Sequence, residues 1–366
     1  MSAPSRLELD VAGRSHQIVV GEGLLDDLGA QVPLPLHARR ALVVTQPPLV
    51  AHGHAPRVAD ALRTAGLDVR VHEVPDGEGA KAPDVLAGLW GVCADWPLGR
   101  DDLIVAVGGG VVGDLAGFLA ATWMRGVALV QVPTTLLAMV DAAIGGKTGI
   151  NLPQGKNLVG AFHQPLAVAA DPAVLATLPE RLRVEGAAEI LKAGLLADAT
   201  LVERLERDPD GVRRGDAGLL HALILRAAAI KVDVVGADER EAGERAHLNL
   251  GHTFGHVLET LTGYGTFLHG EAVAVGLVVA LEVGVELGRT PRTLADRTRT
   301  CLAALGLPTA VPALERAAVH ATMARDKKAR DGVRMVLLDD IGRPVLAPVG
   351  AATLDTVLDR LAGDAR

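Results

Sequence analysis

At 366 residues the chain is long enough to bury two substantial cores, one in each half. Its 44 aspartates and glutamates outnumber its 36 lysines and arginines, and the net charge of −8 argues against general binding to nucleic acid, which needs a basic surface to neutralise phosphate. Any anionic ligand must therefore be held by a local basic cluster. Aromatic residues make up 2% of the chain, so the core is aliphatic and no platform for stacking bases is present. Cys93 and Cys301 have neither disulfide-framework nor metal-ligand spacing, which suits a reducing cytoplasm. The stretch from Met1 to Glu8 lacks the basic-then-apolar pattern of a secretory signal. The longest apolar run, Ala272 to Leu281, stops at Glu282; it is too short to span a bilayer, and a buried helix is expected instead.

In chain order, Leu7 to Val11 and His16 to Val20 read as a hairpin about Gly13, and Ala41 to Val44 as a strand. Asp60 to Ala65 is expected as helix, Val69 to Val74 as strand, Ala87 to Ala94 as helix, and Leu103 to Val107 and Val127 to Val132 as strands. This alternation is that of βαβ units, so the first half is expected to be an α/β, Rossmann-like, doubly wound parallel sheet. After Leu178 the period lengthens. Val184 to Ala197, Leu219 to Val235, Ala246 to Leu261, Glu271 to Leu287 and Thr293 to Leu305 all read as helix, and Arg334 to Leu338 with Pro344 to Ala347 as a late hairpin. Two domains are expected: residues 1–178, and a mostly α-helical metal-binding domain, residues 179–366.

Two histidines one helical turn apart, His252 and His256, project from one helix face toward a shared point. They suit a metal or an anion, or simply cap a helix. Glu189 and His269 are further candidates, since one carboxylate plus imidazoles is an ordinary catalytic zinc set. In the first half, the strand to Val107 runs into Gly108-Gly-Gly-Val-Val-Gly113-Asp114 and then an apolar helical stretch, which places glycines where a backbone approaches a phosphate at a helix N-terminus. The standard dinucleotide fingerprint is incomplete, because no acidic residue follows about 20 positions later. A second cluster, Val140 to Asn151 followed by Gly155 to Gly160, is too interrupted to be one regular element. Its Lys147 lies between glycines in an apolar neighbourhood, where a bound anion would offset the cost of an unpaired charge. Asp141 reads either as an N-cap or as a site residue, and Trp123 and Phe254 read as packing residues.

The order and spacing of Pro75 to Lys81, Gly108 to Asp114, Thr122 to Gly126, Pro133 to Leu137, Asp141 to Lys147, Lys156 to Pro165, Ala188 to Lys192, Arg245 to His256 and Asp326 to Lys328 resemble the 3-dehydroquinate synthase family of sugar-phosphate cyclases. The resemblance extends over nearly the whole chain and implies that family's fold. It implies a divalent metal, Zn2+ or Co2+, on Glu189, His252 and His269, and makes His256 a substrate contact. It implies NAD+ at Glu78, Lys81, Gly109, Gly110, Asp114, Thr134, Thr135, Lys147, Lys156, Thr177 and Leu178. For the substrate it implies Lys147, Asn157, Asn249 and His256 at a phosphate, with Arg125 reaching over from a neighbouring subunit of a homodimer. Lys192, Lys231, Arg245 and one of Lys327 or Lys328 complete the pocket, with Lys231 and Arg245 assigned to a carboxylate and Asp141 a catalytic-site residue. Family members often carry an acidic residue after the Ala41 to Val44 strand; this chain has Thr45 and Gln46 there.

The implied substrate is a small sugar phosphate, 3-deoxy-D-arabino-heptulosonate 7-phosphate, converted to 3-dehydroquinate in the shikimate pathway. The implied sequence is transient oxidation at C5 by NAD+, β-elimination of phosphate with that phosphate as the base, re-reduction and intramolecular aldol closure, with the metal acting as a Lewis acid. The first rival is an NAD-dependent metal polyol dehydrogenase, against which Lys147, Lys156, Lys192, Lys231 and Arg245 speak. The second is a sister cyclase of secondary metabolism, of the aminodehydroquinate synthase type. A catalytically silent NAD-binding regulator is the third, and the intact ligand set argues against it.

Overall fold

A computed structural model describes residues 3–11, 13–240, 243–263, 265–324 and 333–363. Its backbone packing groups the chain into two units, Met1–Pro179 with Leu220–Glu239, and Glu180–Leu219 with Arg240–Arg366. A single break after residue 178 does not include the return of Leu220–Glu239, most of helix Ala217–Ala237, to the first unit. Helical period marks a helix but carries no information on which core it joins.

The first unit is built on strands β1 (Ser5–Val11), β2 (Arg14–Val20), β3 (Arg40–Thr45), β4 (Asp68–Glu73), β5 (Leu103–Gly108), β6 (Ala128–Pro133) and β9 (Ala167–Ala170). They form one sheet in the order β1-β2-β9-β6-β5-β3-β4. The β1–β2 hairpin is antiparallel and every other pairing is parallel, with Leu103 of β5 opposite Ala41 on one side and Ala128 on the other. All six residues of β5 are buried, as expected of a strand covered on both faces. After β3 the chain winds outward to β4, and after β5 it winds the other way to β6. The carboxyl ends of β3 and β5 thus form the topological switch point, where doubly wound sheets bind ligands. The Lys147 segment, which showed no single periodicity, is an antiparallel ribbon of β7 (Lys147–Leu152) and β8 (Gly155–Phe162). The ribbon lies on helix Gly110–Thr122, so close that a Cβ on Gly117 would meet Thr148 Cγ2 at 2.4 Å. Both cysteines are buried thiols, and burial pushes Cys93 up to about 11 and Cys301 up to about 12.

The second unit packs helices Glu180–Ala197, Ala199–Arg207, Pro209–Arg214, His252–Thr262, His269–Glu286, Arg292–Ala304, Arg316–Ala324 and Ala351–Gly363 with the hairpin β10 (Arg334–Asp340) and β11 (Arg343–Pro348). The expected helix from Ala246 to Leu261 is two elements. A 3-10 turn spans Glu244–Asn249, and the α-helix starts at His252 after Gly251 at φ 80°. That left-handed residue breaks the helix while leaving the apolar period nearly in phase, which is why the sequence reads as one stretch. Phe254 is fully buried, and Trp123 donates its indole N–H to the Leu98 carbonyl at 3.0 Å. Among the described residues no helix is long and apolar enough to cross a membrane.

Glycines let the helices of this unit approach backbone to backbone. A Cβ on Gly276 would meet the Gly251 carbonyl oxygen at 1.9 Å, and one on Gly270 would meet the Glu185 carbonyl oxygen at 2.0 Å. Gly276→Ala is therefore expected to lower stability by about 1–3 kcal/mol, the usual cost of overpacking. A urea titration checks this, with the midpoint falling and the slope unchanged.

Candidate functional site

In the second unit, three helices bring three ligand-type side chains to one point. Glu189 lies mid-way along helix Glu180–Ala197, His252 opens helix His252–Thr262, and His269 opens helix His269–Glu286. Their ligand atoms all lie within 4.8 Å of one another. Oε1 of Glu189 is 3.6 Å from Nε2 of His252 and 3.8 Å from Nε2 of His269. The close contacts at Gly270 and Gly276 are what let the three helices converge.

The protonation pattern follows from the partners. His252 Nδ1 faces the Leu250 carbonyl at 3.3 Å; a carbonyl only accepts, so Nδ1 is the donor of that contact and Nε2 is the nitrogen turned toward Glu189. His269 Nδ1 faces Glu259 Oε1 at 3.6 Å, a carboxylate behind an imidazole as in many metal centres. Glu189 is 3% exposed, and neither of its carboxylate oxygens receives a hydrogen bond of normal geometry. The Lys192 ammonium lies against Oε2 as an ion pair, and Oε1 faces the two imidazoles. A buried carboxylate and two imidazole nitrogens within 4.8 Å of one another fit a divalent cation held by all three residues.

The surroundings hold these helices in place. Glu271 accepts from the Leu268 N–H at 2.9 Å and is clamped by Arg181 through contacts of 2.7 and 2.8 Å. Glu185 accepts from the Gly270 N–H at 3.3 Å, and burial pushes its carboxyl up to about 7. His256 is exposed, one turn beyond His252 with ring centroids 5.5 Å apart, and is outside the ligand cluster. Arg245 is buried in the 3-10 turn that ends at Asn249, so Asn249 precedes the histidine helix rather than belonging to it. Lys327 and Lys328 lie outside the described residues.

In the first unit, Gly109 precedes helix Gly110–Thr122 with no side chain capping its N–H groups. A Cβ on Gly109 would meet Thr135 Cγ2 at 3.0 Å, and one on Gly110 would meet Ala142 Cβ at 3.2 Å. This uncapped, glycine-lined helix N-terminus fits the pyrophosphate of a dinucleotide. Beside it, buried Lys81 donates to Asp114 Oδ2 at 2.6 Å and also to Asn157 Oδ1. Burial raises the Asp114 carboxyl while Lys81 pulls it down. Thr134 is buried, Lys156 half-buried and Lys147 exposed. Thr177 meets His54 Nε2 at 2.8 Å, with Leu178 half-buried next to it. Gln46, at the position of the family's frequent acid, donates instead to the Pro75 carbonyl at 2.9 Å.

Lys231 donates to the carbonyl and to Oδ1 of Asp141, at 2.5 and 2.6 Å. Asp141 belongs to a π-helical turn, Ala138–Ala142, and is not an N-cap; such turns recur at functional sites. Arg125 is exposed on a turn where Met124 (φ 48°) and Arg125 (φ 66°) are both left-handed, an uncommon and costly conformation for non-glycine residues. Sequence reasoning missed Glu259, Glu185 and Asn151. Glu259 follows His252 by seven positions on the same helix face, a spacing that signals it in hindsight.

Comparison with known proteins agrees with this geometry. Residues 71–185 match the family model described as 3-dehydroquinate synthase N-terminal, and residues 186–329 the one described as 3-dehydroquinate synthase C-terminal. The chain belongs to the 3-dehydroquinate synthase family. A 3-dehydroquinate synthase from Synechococcus sp. (strain CC9605) is 47% identical over 353 residues, covering 95% of both chains. Among solved structures, a 2-epi-5-epi-valiolone synthase from Streptomyces hygroscopicus subsp. jinggangensis 5008, with NAD+ and Zn2+ bound, aligns at TM-score 0.88 and 27% identity, over 97% of this chain and 99% of that one. A 2-deoxy-scyllo-inosose synthase complexed with carbaglucose-6-phosphate, NAD+ and Co2+ aligns at TM-score 0.87 and 26% identity, over 97% of this chain and 100% of that one. The 3-dehydroquinate synthase family's C-terminal match includes all three residues of the ligand cluster, and its N-terminal match includes Lys81, the glycine turn and the ribbon.

His252→Ala is expected to abolish stoichiometric metal binding, whereas His256→Ala keeps it; equal loss in a metal assay would overturn that division. Glu259→Gln is expected to weaken metal affinity by about 10–100-fold, as outer partners of ligating histidines do, measured by competition with a chelator.

Proposed function

We infer that this chain converts 3-deoxy-D-arabino-heptulosonate 7-phosphate to 3-dehydroquinate and inorganic phosphate, a carbon–oxygen lyase reaction of the shikimate pathway on the route to aromatic amino acids. The observation that carries the reading is the Glu189–His252–His269 cluster, intact in a chain 47% identical to a 3-dehydroquinate synthase. Identity to the sister cyclases is much lower, at 26–27%, so the primary-metabolism reaction is favoured over theirs.

When bound, the metal supplies Lewis acidity to substrate hydroxyls, and NAD+ supplies a reversible hydride acceptor. Glu189, His252 and His269 would hold the former. Glu78, Lys81, Gly109, Gly110, Asp114, Thr134, Thr135, Lys147, Lys156, Thr177 and Leu178 would hold the latter. Lys147, Asn157, Asn249 and His256 grip the substrate phosphate, and Lys231 and Arg245 its carboxylate. Asp141 orients the Lys231 ammonium toward its task by the 2.6 Å ion pair. Lys192, already paired with Glu189, adds a fourth cation to Lys147, Lys231 and Arg245. These local charges serve a dianionic substrate despite the acidic total, because the local field governs binding. Holding a flexible substrate in one conformer is the chain's main contribution to rate. The phosphate acts as its own base at C6, and His256 with Asn249 orients it.

We further infer a cytoplasmic homodimer in which the exposed Arg125 completes the neighbouring subunit's phosphate contacts. The buried thiols and the strained turn that presents Arg125 support this.

The test supplies the heptulosonate phosphate with catalytic NAD+ and follows phosphate release and dehydroquinate formation, with and without a chelator. Both products are expected, with loss of activity on chelation. Net NADH accumulation without a cyclised product would mean a dehydrogenase instead.

A further inference from the structure

Four side chains of the first unit close into a ring. Lys81 Nζ donates to Asn157 Oδ1, the Asn157 N–H donates to Asn151 Oδ1 at 2.9 Å, and Asn151 Nδ2 donates to Glu78 Oε1 at 2.7 Å. That Glu78 oxygen lies 3.9 Å from Lys81 Nζ, which completes the circuit. Asn151 is also pinned by its backbone, whose N–H donates to the Lys81 carbonyl at 2.8 Å. It has this N–H to give because the β7–β8 register shifts between Ile150 and Leu152, which takes residue 151 out of the ladder. Within the ring, Asn151 is the one member with no charge and no assigned ligand.

Each end of the Asn151 carboxamide does a different job. Its oxygen receives the N–H of Asn157, a residue held at φ 54° in the left-handed region. Its nitrogen fixes the Glu78 carboxylate on the far side of the ring. An ammonium can only donate, so Asn157 turns its amide oxygen to Lys81 and its Nδ2 donors point away from Lys81. Those donors are the ones an anion would use. A shift at Glu78 is therefore transmitted through one rigid amide to the backbone that aims Asn157, whereas Lys81 touches the Asn157 amide oxygen directly.

We propose that Asn151 is a positioning residue that couples dinucleotide occupancy at Glu78 to anion affinity at Asn157, beside the direct contact from Lys81. This rests on the reading above, in which Glu78 and Lys81 face NAD+ and Asn157 the substrate phosphate. Coupling of this kind is reciprocal: NAD+ raises phosphate affinity by the same factor by which phosphate raises NAD+ affinity.

The experiment titrates inorganic phosphate into the full chain with and without NAD+, and NAD+ with and without phosphate, by calorimetry. The unaltered chain is expected to show one coupling factor of about 5-fold or more in both directions. Asn151→Ala is expected to lower the factor, leaving the part carried by the direct Lys81–Asn157 contact, while metal content and Tm stay unchanged. Asn151→Asp keeps the acceptor for the Asn157 N–H but sets a carboxylate against Glu78, so it is expected to lose NAD+ affinity and keep phosphate affinity in the absence of NAD+. An unchanged coupling factor in Asn151→Ala, an undetectable phosphate affinity in the unaltered chain, or a uniform loss of both affinities with a lowered Tm each overturns the proposal. Binding is read directly, so the two readings separate. Coupling without cyclase turnover sinks the functional reading alone, and turnover with a factor of 1 in the unaltered chain sinks this one alone.

Discussion

A buried carboxylate that its own protein does not satisfy is the constraint on which the second unit depends. Glu189 is 3% exposed, and its Oε1 looks onto two imidazole nitrogens rather than onto donors. Taking an ion out of water costs several kcal/mol, and Lys192 offsets that cost at only one of the two oxygens. The Leu250 carbonyl accepts at His252 Nδ1 and so leaves Nε2 as the nitrogen turned toward Glu189. That arrangement suits a divalent ion, which all three side chains can ligate.

Much of the surrounding architecture follows from keeping that triangle small. The starts of two helices have to come within a few ångströms of the middle of a third, and side chains at the crossings would prevent it. Gly270 and Gly276 remove them, leaving backbone against backbone. Glycine in a helix costs about 1 kcal/mol relative to alanine, so these positions give up intrinsic helix stability for proximity. The clamps at Glu185 and Glu271 then fix the start of the His269 helix, so the ligand is preorganised by polar contacts made well before any ion arrives.

The first unit solves a different problem, which is to present backbone donors and cations to an anion in a chain with an overall charge of −8. It does so by the sheet's change of winding direction beside β5 and by an uncapped helix start after Gly109. Lys81 is buried beside them, but is compensated by Asp114 and Asn157 rather than left as an isolated charge. A local field of this kind lets an acidic protein recognise a substrate that carries two anionic groups.

The alternation of β-branched runs and helical stretches, the triple glycine and the residue types at 189, 252 and 269 are local properties, and they were legible without coordinates. So was the α/β character of the first half, because buried parallel strands such as Leu103–Gly108 are continuous apolar runs. The ribbon at Lys147–Phe162 was not legible: its glycines and lysines have no period, and pairing between β7 and β8 supplies the order that propensity lacks. Nor was the break at Gly251, where an unbroken apolar rhythm conceals a left-handed residue, or the return of Leu220–Glu239 to the first unit. Chemistry is carried by residue identity and short spacing, so the sequence by itself determined which groups are available and the class of reaction they suit. Distances between residues far apart in the chain are set by packing. Only the tertiary structure decided that Glu259 stands behind His269, that Asp141 pairs with Lys231, and that Asn151 joins Glu78 to Asn157.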